Sequence, residues 1–184
     1  MSKEIGFRFS HIGIFATNLP KMEEFYTSIL EFTVTDRGNL SGPDGPVELV
    51  FMSKDPEEHH QIVLVSGRPD IIDFNIINQI SLKGDTIQSL QDMYVRLTNV
   101  NAQGLSPVTH GNSLSLYVLD PEGNRIELYV DMPWYVTQPM RVPINLMQEE
   151  SALMKEVECH ALSLPGFQPR SVWVAAMKKK MGIK

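Results

Sequence analysis

Three residues with metal-binding donor atoms, His11, Gln79 and Glu127, share equivalent places in an internal repeat with the apolar Val63. Imidazole, amide-oxygen and carboxylate donors suit a divalent ion such as Fe(II), Zn, Ni or Mn. Val63 in the fourth place would leave coordination positions open, which a catalytic metal needs and a closed structural site does not. A strand histidine taken alone is more often a core or surface residue than a ligand. The repeat therefore carries the reading, and the elements that produce it come next.

Residues 10–31 (SHIGIFATNLPKMEEFYTSILE) and 78–99 (NQISLKGDTIQSLQDMYVRLTN) share one pattern at an offset of 68, with His11 on Gln79, Leu19 on Ile87 and Tyr26 on Tyr94. A second pair, DPEEHHQIVLV at 55–65 and DPEGNRIELYV at 120–130, is one residue shorter in its later copy. Self-similarity of this kind speaks first to architecture. Each copy reads as strand, helix, then three strands. In the first, residues 7–16 are an expected strand, Asn18 a helix cap and Pro20 a first-turn residue. The helix runs to about Leu30 with Met22, Phe25, Tyr26, Ile29 and Leu30 on one face. Strands follow at 31–36, 47–53 and 60–66, with a turn-rich loop over 38–46 (GNLSGPDGP) and a connector at 67–75.

In the second copy the expected strand 77–82 leads to a helix over 86–99 and strands at 108–110, 114–119 and 125–130, the last two joined by a Pro/Gly turn at 120–124. The expected fold is α+β: two tandem βαβββ modules, 7–67 and 76–131, forming one curved mixed sheet around a metal site, with a C-terminal helical tail. Residues 1–140 form the domain and 141–184 the extension. A Pro-interrupted stretch at 132–143 and helices at 145–162 and 171–181 make up the tail, which packs on the sheet, lids the site or supports a dimer. Trp134 and Tyr135 read as a hydrophobic latch for it, and Lys178, Lys179 and Lys180 as a solvated face.

Composition narrows the function classes. The chain has 184 residues, enough for one domain or two small joined modules, and a formal charge of −6 that argues against nucleic-acid or anionic-membrane partners. Its only cysteine, Cys159, excludes an intrachain disulfide and a thiolate cluster. No run approaches 18 apolar residues, and the first ten lack the apolar core of a secretory signal, so a cytoplasmic protein acting on small molecules is expected.

The repeat, the opening HIGIFATNLPKMEEFYTSILEF and the closing LYVLDPEGNRIELYVD resemble the vicinal oxygen chelate superfamily of glyoxalase I, fosfomycin and bleomycin resistance proteins and type I extradiol dioxygenases, over residues 7–131. In finer features the chain is similar to the metal-binding half of an extradiol catechol dioxygenase of the 2,3-dihydroxybiphenyl type. That resemblance implies Fe(II) held by His, His and Glu. His11 and Glu127 match the first and last ligands, while Gln79 stands where the second histidine is expected, so Zn, Ni or Mn stay open. Glyoxalase I has a carboxylate where this chain has Val63.

The pair His59-His60 ahead of IVLV resembles the family's HH motif, whose second histidine is the acid-base residue; this implies His60 in that role. Alternation counted back from Val63 instead turns His59 toward the metal side, and His60 reaches it only if the extra residue of this copy makes a bulge. Tyr117, ten residues before Glu127, matches the family's active-site tyrosine, or is an ordinary strand aromatic. His110 in THGNSLSLY matches its substrate-binding histidine. The implied activity is cleavage of a small aromatic diol with O2, by a homo-oligomer. The alternatives are another metal-dependent enzyme of the superfamily (isomerase, epimerase or glyoxalase-like lyase) or a metal-free binder of aromatic drugs.

Overall fold

The computed structural model describes residues 8–42, 45–69, 71 and 74–183. Phe7, where the first strand was expected to open, lies outside the described residues, as do positions 43 and 44 of the expected loop and 70, 72 and 73 of the connector. The described residues form two compact units, one of 8–78 with 120–124, the other of 79–119 with 125–183.

In the first unit, β1 (Ile12–Ala16) leads into α1 (Leu19–Glu24), which continues as one π-helical turn, Phe25–Ile29. The Asn18 side chain accepts from Lys21 N at 3.1 Å, satisfying an otherwise orphan helix-start donor, and Pro20 lies in the first turn. Of the expected apolar face Met22, Phe25, Tyr26 and Leu30 are buried and Ile29 is half-buried, with Leu19 buried beside them. β2 (Thr33–Gly42), β3 (Gly45–Ser53) and β4 (Ile62–Ser66) complete a four-stranded sheet of order β1-β4-β3-β2. The expected loop at 38–46 is a correction: both strands extend into it, pairing Asn39 with Glu48 and Leu40 with Val47. Strand pairing supplies the backbone hydrogen bonds there, and this outweighs the weak β-propensity of Gly, Asn and Ser.

The turn at 120–124 belongs to this unit. Glu122 accepts from Thr17 N and Asn18 N at 2.8 and 2.7 Å, ahead of α1, where a carboxylate also meets the positive end of the helix dipole. It pairs with Arg68 at 3.2 Å. Asp120, buried, accepts from the Tyr26 hydroxyl at 3.2 Å.

In the second unit, β5 (Ile80–Lys83) precedes α2 (Ile87–Asn99), capped by Thr86, which accepts from Ser89 N at 3.1 Å. β6 (Ser106–Thr109), β7 (Ser113–Leu119) and β8 (Arg125–Asp131) follow. Beyond them come β9 (Trp134–Tyr135), β10 (Val142–Pro143), α3 (Glu150–Leu162), β11 (Gln168–Pro169) and α4 (Arg170–Met181). The sheet order is β10-β6-β7-β8-β5, so part of the tail adds an edge strand, while β9 and β11 form their own pair. Residues 145–149, expected as helix, precede α3, which starts at the Glu149 cap. Trp134 is buried and donates to Gly111 O at 2.6 Å, and Tyr135 stacks on Trp173 of α4, so both latch the tail. No helix among the described residues is long and apolar enough to cross a membrane.

The two copies agree in register. β1 runs parallel to β4 with Ile12 opposite Ile62 and Gly13 opposite Val63; β5 runs parallel to β8 with Ile80 opposite Ile126 and Ser81 opposite Glu127. Val63 and Glu127 are therefore equivalent, as the alignment of the copies requires. Among the described residues each module has its own mixed sheet, four-stranded in the first and five-stranded in the second with β10 at its edge, where the sequence reading has a single one. Each first strand pairs with the last strand of its own module, so each module completes its own sheet.

Candidate active site

In the second unit a buried carboxylate gathers four polar side chains. Glu127, 7% exposed on β8, accepts from Ser81 Oγ at 2.5 Å and Gln79 Nε2 at 2.7 Å on one oxygen, and from the Tyr117 hydroxyl at 3.0 Å on the other. The pleat explains the grouping. Gln79 and Ser81 are two residues apart and share a face, while Tyr117 is opposite Glu127 in the antiparallel β7–β8 pair. A carboxylate only accepts, so the nitrogen of the Gln79 amide faces it.

His110 extends the run. Its Nδ1 lies 2.7 Å from Met140 O, a carbonyl that can only accept, so this nitrogen carries a proton and Nε2 faces the Tyr117 oxygen at 3.0 Å. Glu127 Oε1 is 3.7 Å from the same Nε2. Burial, then the adjacent Glu127 charge, raises the Tyr117 pKa and keeps the phenol protonated. Gly111 holds the turn after His110 at φ 74°, in the left-handed region, where a Cβ would collide with Val136 Cγ2.

The first unit assembles His11, His59 and His60. The rings of His11 and His60 are 4.3 Å apart between centroids, and His60 packs edge-on against Phe51 at 5.2 Å. His59 Nδ1 is 2.9 Å from His60 Nδ1, while its Nε2 points to Asp36 at 3.9 Å, and its side chain is 59% exposed. Burial lowers the His60 pKa, with the His11 and His59 rings adding to the effect. Val63 is buried on β4, its side chain nearest the position a Cβ of Gly13 would take.

The structure thus brings Gln79, Glu127, Tyr117 and His110 together in one unit, and His11 with His60 in the other. No three His, Cys, Asp or Glu side chains form a metal cluster among the described residues, and a His–Gln–Glu set contains only two of those types. The donor chemistry fits a divalent cation. Glu127 is a buried anion whose hydrogen-bond donors in its unit are neutral, and a positive partner offsets the desolvation of such a charge. Two participants were not picked out from sequence: Ser81, detectable from its two-residue spacing to Gln79, and Arg141, whose guanidinium carbon lies 5.0 Å from the Tyr117 ring centroid and which no local pattern marks.

A family model described as the Glyoxalase/Bleomycin resistance protein/Dioxygenase superfamily matches residues 8–128. Biphenyl-2,3-diol 1,2-dioxygenase 2 of Rhodococcus globerulus is 28% identical over 129 residues, 67% of this chain and 63% of that protein. The chain thus spans less than two thirds of the length of that curated relative. Among solved structures, a glyoxylase/bleomycin resistance protein/dioxygenase domain from Frankia sp. EAN1pec aligns with a TM-score of 0.56 at 19% identity, covering 67% of this chain and 96% of that one. The fosfomycin resistance protein FosX of Listeria monocytogenes, complexed with Mn(II) and sulfate, aligns with a TM-score of 0.51 at 15% identity, covering 71% and 95%. At such identities the likeness is one of fold.

Proposed function

This chain belongs to the glyoxalase/bleomycin resistance protein/dioxygenase superfamily, and from that premise we propose that it is a metal-dependent extradiol-type dioxygenase cleaving a catechol-like aromatic diol with O2. Both oxygen atoms enter the ring-opened product, so no external reductant is required. His11, Gln79 and Glu127 are the proposed ligands of a divalent ion, Fe(II) first, with Zn, Ni or Mn as alternatives. Such an ion would supply chelation of the two diol oxygens and an electronic link between ring and O2.

The run His110–Tyr117–Glu127, in which the Tyr117 hydroxyl donates to Glu127 and His110 Nε2 lies 3.0 Å from the same hydroxyl oxygen, carries this reading. It sets a phenol and an imidazole, both able to hydrogen-bond a diol oxygen, beside the proposed carboxylate ligand. With Nδ1 protonated, neutral His110 presents an accepting Nε2 to a hydroxyl, and protonated His110 presents a donor to a phenolate oxygen. The Tyr117 phenol keeps its proton and donates. His60 is the proposed acid-base residue: its lowered pKa favours the neutral imidazole, the form that takes up a proton from the diol and can later return it. The biphenyl-2,3-diol 1,2-dioxygenase relative supports the choice of reaction within the superfamily.

Oxygen uptake tests the proposal. Protein loaded anaerobically with Fe(II) is mixed with 2,3-dihydroxybiphenyl and simpler catechols, and O2 consumption matched to ring-opened product is expected. Stoichiometric iron without uptake on any diol would overturn it.

A further inference from the structure

Arg141 is an exposed side chain next to the Tyr117 end of the buried cluster, and its guanidinium lies over the Tyr117 ring, 5.0 Å from CZ to centroid. Nη2 donates to Ser106 Oγ at 3.2 Å. The backbone that carries it is tied to the same cluster: Met140 O accepts from His110, and Gln138 Nε2 donates to His110 O at 2.6 Å. Arg37, Arg68 and Arg170 each hold a carboxylate, of Glu23, Glu122 and Asp131. Among the described residues Arg141 is paired with none. A guanidinium stacked on an aromatic face keeps its in-plane N–H groups for a planar anion, which it grips in bidentate fashion. In a chain of net charge −6, a fixed cation without a carboxylate partner beside such a cluster favours an anionic ligand.

We propose that Arg141 is a specificity-determining residue that binds a carboxylate or similar anionic substituent on the aromatic diol. This rests on the ring-cleavage reading for the diol itself. Among the described residues Ser106 is the one hydrogen-bond partner of the guanidinium, and the contacts of Met140 and Gln138 tie the segment that carries it to His110. A substrate whose diol meets the Tyr117–His110 pair would then place a short acidic side chain on Arg141.

Anaerobic calorimetric titration of the Fe(II)-loaded protein tests this with four probes: 3-(3,4-dihydroxyphenyl)propionate, its methyl ester, 3-phenylpropionate and 4-methylcatechol. Wild type is expected to bind the diol acid about tenfold more tightly than its ester, the effect of one charge-assisted contact. Arg141→Gln should abolish that ratio while keeping ester affinity, and Arg141→Lys should retain part of it. Ester binding equal to acid binding, or a ratio unchanged in Arg141→Gln, overturns the assignment while leaving the diol reading intact. Arg141-dependent binding of 3-phenylpropionate with no binding of 4-methylcatechol supports the anion site and overturns the diol reading. Binding of none of the four overturns both.

Discussion

The imidazole of His60 stands 4.3 Å from that of His11, centroid to centroid. Alternation counted back from Val63 would have turned it to the opposite face, but that count applies only within a strand, and β4 begins at Ile62. Gln61 is held in the preceding turn, its amide N–H on Met52 O and its side-chain oxygen accepting from Lys54 N. The chain can therefore direct His60 toward His11 and leave His59 to Asp36.

His60→Ala is expected to lower turnover about 10²- to 10⁴-fold, the range of general acid-base catalysis, while bound metal stays near the wild-type level. His59→Ala should change the rate far less. Steady-state oxygen uptake with metal analysis of both variants checks this, and the reverse ranking would transfer the role to His59.

Gln79→His should raise Fe(II) affinity, because imidazole binds a borderline divalent ion better than a neutral amide oxygen. Anaerobic iron titration of the folded variant is the measurement. An unchanged or lower affinity would mean that the donation of Gln79 to Glu127 is its principal task.

Glu122→Ala should destabilise the protein by about 3 kcal/mol, the loss seen when one partner of a largely buried ion pair is removed. The Glu122 and Arg68 side chains are 10% and 14% exposed, and two backbone N–H groups, of Thr17 and Asn18, lose their acceptor as well. Thermal denaturation should show a fall of several degrees, smaller in Glu122→Gln; no change would show that solvent replaces the carboxylate.

Burial raises the pKa of Asp120, opposed by hydrogen bonds from Asn124, Glu122 and Tyr26. A raised folded-state value means that its contribution is fully present below the unfolded value, about 3.9, and is lost as pH rises through the folded one. The stability of wild type relative to Asp120→Asn should therefore fall as pH rises through that window. Denaturant midpoints across a mildly acidic series measure it, and a flat or rising difference would refute it.

Much of the scaffold was legible in the sequence because its signals are local. The offset of 68 that sets His11 on Gln79 also sets Ile12 on Ile80, and the ladders place those residues opposite Ile62 and Ile126 in their own modules. The Asn18 cap, the α1 apolar face and the 120–124 turn follow from side-chain chemistry within a few residues. The superfamily, too, was readable from repeat and motifs together. Tertiary structure alone decided what depends on partners distant in the chain. Strand pairing carried β2 and β3 through a stretch that reads as loop. Packing assigned the 120–124 turn to the first module through Glu122 and Asp120, and set Arg141 over Tyr117 from a tail that no periodicity orders. Periodicity reports which face a residue occupies; which side chain it meets there depends on how separate segments pack, and single-sequence spacing does not encode that.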